Sequence, residues 1–178
     1  GTLSACFCCP LQLQIHQGFT HLGLTETSGS LPQLKSTERM VAMAVAFAES
    51  HQCLCYLVLD AFFSAGSVFQ ARNYYSIEHK KPWVEILTKA KNNTVGYFPA
   101  PPKPAGRPGR QAFYGEKVHL QECFDYPDLF ETVSCQVYGK TESIQVMSLT
   151  LLWPPIADYV LFVLAVTSKG PIILMSSD

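Results

Sequence analysis

The sequence predicts an α/β fold whose second half is mainly antiparallel β, and three observations carry this expectation. Met40, Val41, Ala44, Val45 and Ala48 recur at spacings of one, three and four, which paints one face of a helix. Cys53 to Leu59 (CLCYLVL) is a continuous apolar run between polar neighbours, the pattern of a strand buried on both faces. After Arg110, five strand-like runs follow one another, separated by turn residues.

Taken in chain order, Cys6 to Ile15 is apolar and partly alternating, with Leu11, Leu13 and Ile15 on one side, and reads as a strand. His16-Gln17-Gly18 opens a polar loop that ends at Pro32. A helix is expected from Ser36 to about Ser50, with Ser36 or Thr37 as N-cap. The run Cys53 to Leu59 ends in Asp60. Ser64 and Gly66 can open a second helix, through Phe69 to about Tyr75, and a strand is expected from Trp83 to Lys89. Asn92-Asn93 and the stretch PAPPKPAGRPGR then read as an irregular loop. The later strands are expected at Phe113–Leu120, Glu131–Tyr138, Ser143–Leu152, Tyr159–Thr167 and Pro171–Ser176. Their turns fall at Tyr114-Gly115, Gly139-Lys140, Pro154-Pro155 and Lys169-Gly170.

With 178 residues, 48% of them apolar and 15% charged, the chain can bury one real core, with room for an inserted subdomain, and is not a disordered polymer. The formal charge of −1 hides an asymmetry: residues 72–110 hold 8 of the 13 basic side chains against only Glu78 and Glu85. No secretory leader is expected, because the start lacks a positive region and its apolar stretch is broken by Pro10 and Gln12. The most apolar region, Met147 to Val166, is interrupted by Pro154, Pro155 and Asp158 and reads as two strands, not a membrane span. Ending on a strand at Asp178, with no closing element, is expected of a truncated sequence.

Seven cysteines make a complete intrachain disulfide set unexpected. Cys6, Cys8 and Cys9 form one cluster and Cys53 and Cys55 another, without CxxC spacing or matching histidines, so buried, reduced thiols of a cytoplasmic protein are expected. The five histidines are scattered. Ser64 and Ser67 lack a nucleophile elbow, and no phosphate-cradling glycine loop is present.

Asp60 is the residue that stands out. In an open α/β sheet, polar chemistry collects beyond the carboxyl ends of the strands. A carboxylate fixed there, straight after YLVL, suits a hard divalent cation such as Mg²⁺. It equally suits a cap for the next helix or a partner for a loop amide.

The stretch CLCYLVLDAFFSAGSVFQ resembles the segment of DDE-type insertion-sequence transposases in which an apolar strand ends at Asp, before an aromatic pair and a small-residue turn into a helix. PLQLQIHQGF resembles the strand upstream of it, and WVEILTKAKNNTVGYFPAPPKP the strand downstream. GRPGRQAFYGEKVHL is similar to the family's basic stretch and following turn, and SLTLLWPP and IILMSSD to two later strands. Gln17 stands where Asp is common in the family, and Ser177 where Thr is common. The likeness lies in the common order of these motifs across nearly the whole chain.

The resemblance implies a partial RNase H-like core over residues 1–98 and a β-rich insertion over residues 99–178, entered through the basic Pro/Gly loop. It implies Asp60 as a catalytic, metal-binding residue, the second acid of a D-D-E set, with the first acid upstream of Gly1 and the Glu downstream of Asp178. Asp178 is expected to end a strand of the insertion, not to join Asp60. Mg²⁺ or Mn²⁺ as cofactor, and DNA (transposon ends and target) as partner, follow from the same likeness, as does a homo-oligomer of the full-length protein in a cytoplasmic, nucleoid-associated setting, with no membrane. Lys89, Lys91, Lys103, Arg107, Arg110 and Lys117 are the expected DNA-contacting side chains, with Lys80 and Lys81 nearby. Trp83, Tyr97 and Phe98 are candidates for stacking on bases.

Overall fold

The structure is a computed structural model and describes residues 36–104, 106, 108–137 and 140–178. The expected strand at Cys6–Ile15 lies outside the described residues. Among those described there are two α-helices, α1 (Ser36–Ser50) and α2 (Gly66–Glu78), three short 3-10 turns, and eight strands. The strands are β1 (Cys55–Leu59), β2 (Val84–Lys89), β3 (Val95–Pro99), β4 (Tyr114–His119), β5 (Glu131–Val137), β6 (Lys140–Trp153), β7 (Asp158–Thr167) and β8 (Gly170–Ser176). They form one mixed, mostly antiparallel sheet in the order β1-β2-β8-β7-β6-β3-β4, with β5 also paired to β6.

Helix α1 keeps the length its pattern promises, and Val41, Val45 and Ala48 are its buried stripe. It stops where Gln52 takes a positive φ of 53° and Cys53 donates its N–H to the Ala48 carbonyl at 3.1 Å. The chain turns straight into β1, which pairs in parallel with β2 from Cys55↔Val84 to Leu59↔Thr88. Helix α2 makes the crossover between the two strands, the connection that parallel neighbours require. It runs three residues beyond the expected end at Tyr75. Its N-cap is Ala65, without a side-chain cap; the Ser64 hydroxyl donates instead to the Ala61 carbonyl at 3.1 Å.

Gly66 is fixed by a close approach. A Cβ there would stand 2.7 Å from Pro155 Cβ and 2.8 Å from the Pro155 carbonyl oxygen, so the start of α2 rests against the β6–β7 turn. Gln70 closes the same contact by donating to Pro155 O at 2.8 Å. Behind it, Phe69 meets Trp153 edge to face at 5.3 Å between ring centroids. The core lies between the helices and the sheet: Val41, Val68 and Phe69 meet Ile86, Leu151, Phe162, Leu164 and Met175.

Three expectations are corrected. The run CLCYLVL is not buried on both faces: Cys55, Leu57 and Leu59 turn toward the core, while Tyr56 is 54% and Val58 69% exposed. The reason is that α1 and α2 pack on one face of β1, and Tyr56 and Val58 point to the other. The stretch after Asn93 is not all loop, because Val95–Pro99 is β3, which pairs with β4 and meets β6 at Tyr97↔Leu152. Gly96 permits this: a Cβ on it would stand 2.6 Å from the Leu151 side chain. Tyr114-Gly115 is not a turn but the start of β4. Of the Gly139-Lys140 turn, Gly139 lies outside the described residues and Lys140 begins β6.

The antiparallel half follows its pattern closely. β6, β7 and β8 form a meander with turns at Pro154–Ala157 and Ser168-Lys169. β8 then pairs with β2 through Leu87↔Ser176. Residue 99, the expected start of an insertion, ends β3, and strands from before and after it share one sheet.

Candidate functional site

The carboxyl edge of the parallel β1–β2 pair is where the sheet offers chemistry. Asp60 follows Leu59, the last paired residue of β1, and is exposed. Its backbone is held twice at the carbonyl, which accepts from the Thr88 hydroxyl at 2.7 Å and from Phe63 N–H at 3.1 Å. Its side chain caps the 3-10 turn Ala61–Phe63, with Oδ1 accepting from Phe62 N–H at 2.9 Å. Oδ2 takes no hydrogen bond from the described residues, so one carboxylate oxygen remains for a ligand. That furnishes one ligand position of a hard divalent ion. Among the described residues no group of three His, Cys, Asp or Glu side chains could hold a metal ion.

The basic residues do not share one face. Lys89 ends β2 one residue beyond the Leu59↔Thr88 pair, so it lies at the same edge as Asp60, and exposed Lys91 follows two residues later. Lys103 lies in the Pro-rich loop, its ammonium donating to the Gly109 carbonyl and its N–H to Gln111 Oε1 at 2.8 Å. Arg110 is exposed at the end of that loop, and Arg107 lies outside the described residues. Lys117 is exposed on β4, opposite Tyr97 and at the other end of the strand order from β1. Lys80 and Lys81 precede β2, at its far end from Asp60, and Lys81 sits 3.8 Å over the Trp83 ring. Trp83 is buried, and Tyr97 lies against Tyr114 with centroids 5.1 Å apart. Phe98 is the most exposed of the three stacking candidates.

Arg72, one of the eight basic residues of the central segment, is spent inside the molecule. It pairs with Glu85, which is 4% exposed, and donates from Nε to the Val84 carbonyl at 3.2 Å. Ser177 completes the group, donating from Oγ to Glu85 Oε2 at 2.6 Å and accepting from Ile86 N–H at 2.8 Å. A charged residue in the middle of the apolar run WVEIL signals that Glu85 needs partners, without saying which residues supply them.

Asp178 is not brought to Asp60. β8 runs against β2, so its end lies toward the start of β1, and Asp178 Oδ2 accepts from the Tyr56 hydroxyl at 2.8 Å. Tyr56 precedes Asp60 by four residues, about 13 Å along a strand. The hydrogen bond to Asp178 and the charge of its carboxylate push the Tyr56 phenol above its ordinary value.

The four described cysteines are free. None is buried: Cys53 is exposed, and Cys55, Cys123 and Cys135 are half-buried, which corrects the expectation of buried thiols for these positions. Burial is the main cause pushing up the thiols of Cys55 and Cys123. Among the described residues no helix is long and apolar enough to cross a membrane. Comparison with protein-family models, curated proteins and solved structures gives no match to this chain.

Proposed function

We propose that this chain is an internal piece of the catalytic domain of a DDE-type transposase. In this reading it is part of an RNase H-like core that carries out metal-dependent DNA strand cleavage and strand transfer. Asp60 is one of the three acids, and DNA is the partner. The observation that carries the reading is the placement of Asp60 immediately beyond the carboxyl end of a β-α-β parallel pair, held there through its backbone by Thr88. Two further features support it. Lys89 lies at the same edge, where a polyanion brought to a carboxylate needs compensating charge. The sheet also continues from β2 into antiparallel strands, in keeping with a β-rich insertion after the second parallel strand.

A second reading has its own observation. The Asp60 carboxylate caps the turn through Phe62 N–H, which is sufficient reason for an Asp at this position in a non-catalytic remnant of a mobile element. The continuous reading frame separates the two. The transposase reading requires an upstream strand ending in Asp and a downstream helix carrying Glu. A frame that supplies neither leaves the remnant.

A further inference from the structure

We propose that the sheet face turned away from the helices carries a stacking platform for single-stranded nucleic acid, built on Tyr159, Tyr97 and Lys117 with Tyr114 beside them. Residues directly opposite each other on paired strands share a face of the sheet. Tyr159 pairs with Leu152, Leu152 with Tyr97, and Tyr97 with Lys117. These four positions therefore form one row across β7, β6, β3 and β4, which are adjacent in the strand order. Their sequence neighbours fix which face this is. Val160, Leu151 and Val118 each lie one residue from a member of the row, and all three pack in the core with the helices. Successive side chains alternate, so the row points the other way.

That face is open where the row crosses it. Tyr159 is 51% exposed, Lys117 is exposed, and so is Thr150, two residues from Leu152 on the same face. The ring of Tyr97 is half-buried and lies 5.1 Å from that of Tyr114, so it is held in place and not free to swing. Tyr159 and Tyr97 stand two strands apart, about 10 Å across the sheet. Exposed His119, opposite Val95, lies on the same side as Lys117. Glu116 and Asp158, next in sequence to Lys117 and Tyr159, alternate to the opposite face. Tyrosine faces take flat rings, and a lysine beside them takes an anion. A ligand in which rings and anions alternate along a chain is a single-stranded nucleic acid, and stacking on ring faces accepts every base. The platform is independent of the transposase reading, since none of its residues lies at the Asp60 edge.

Oligothymidylate and oligouridylate of about a dozen nucleotides are the probes, titrated with the 178-residue chain and followed by fluorescence anisotropy. Binding is expected, and the tighter of the two identifies the sugar. Tyr97→Ala and Tyr159→Ala should each weaken it at least about fivefold, while Tyr97→Phe and Tyr159→Phe stay within about twofold, because stacking uses the ring and not the hydroxyl. Lys117→Ala should lower the salt slope of log K by about 0.7. In the parent chain, the ring signals of Tyr97 and Tyr159 should shift in NMR spectra on titration, a readout that needs no variant. No binding of either oligomer, unchanged affinity in both alanine variants, or equal affinity for an abasic oligomer would overturn the proposal.

Discussion

Asp60 and Glu85 are both acids on the parallel pair, yet they sit in opposite circumstances. Asp60 is exposed and offers one oxygen outward, whereas Glu85 is buried and has both oxygens engaged by Arg72 and Ser177. Removing one partner of a buried ion pair leaves the other charge unpaired, which costs about 3–5 kcal/mol. Arg72→Ala, which strands the buried Glu85 carboxylate, is expected to destabilise the chain by that order in urea unfolding, whereas Glu116→Ala, on exposed β4, should move it by less than about 0.5 kcal/mol. Tyr56 gives a pH prediction. Ionising its phenol breaks the bond to Asp178 and sets two negative charges together, so its folded pKa lies above the ordinary 10.0. Its contribution to stability is therefore fully present below pH 10 and is lost as pH rises through the raised value. Asp178→Ala should bring the Tyr56 titration back toward 10, read from its ring carbon shifts by NMR.

At the scale of elements, the contact between the start of α2 and the β6–β7 turn ties the helical layer to the sheet. Gly66→Ala pushes a methyl group into Pro155 backbone, which a flexible side chain cannot relieve. A loss of about 1–3 kcal/mol is expected in thermal or urea unfolding. Elements with a strong period were legible in the sequence. The stripe of α1 and the long apolar runs of β6, β7 and β8 needed no tertiary information. β3 was not legible, because Gly96 and Pro99 argue locally against a strand, and the glycine is explained only by the close approach to Leu151. The outward face of β1 was misread for a similar reason: the run is apolar, but nothing in it says that the helices pack on one of its faces. Asp60 was legible because the end of an apolar run marks a strand end. The Arg72–Glu85–Ser177 group was not, since its members come together only when α2 and β8 pack on β2.

Over the whole molecule, the charge asymmetry resolves into several small sets. Arg72 is half-buried in an ion pair with buried Glu85, Lys80 and Lys81 precede β2, and Lys89 and Lys91 follow its other end. If DNA phosphate approaches the Asp60 edge, Lys89 and Lys91 are the side chains that meet it. The Lys89→Ala/Lys91→Ala pair should weaken duplex binding regardless of sequence and reduce the salt slope of log K by about 2, measured by fluorescence anisotropy. An unchanged slope would move the contact elsewhere. The role of Asp60 is tested by Mg²⁺-dependent nicking of supercoiled DNA by the product of the continuous reading frame, with and without Asp60→Ala. Nicking is expected to fall at least about 100-fold in the variant, a barrier change of at least about 2.7 kcal/mol, and to be absent with the 178-residue chain alone. Unaltered cleavage by the variant, or Asp60-dependent nicking by the isolated chain, would contradict it.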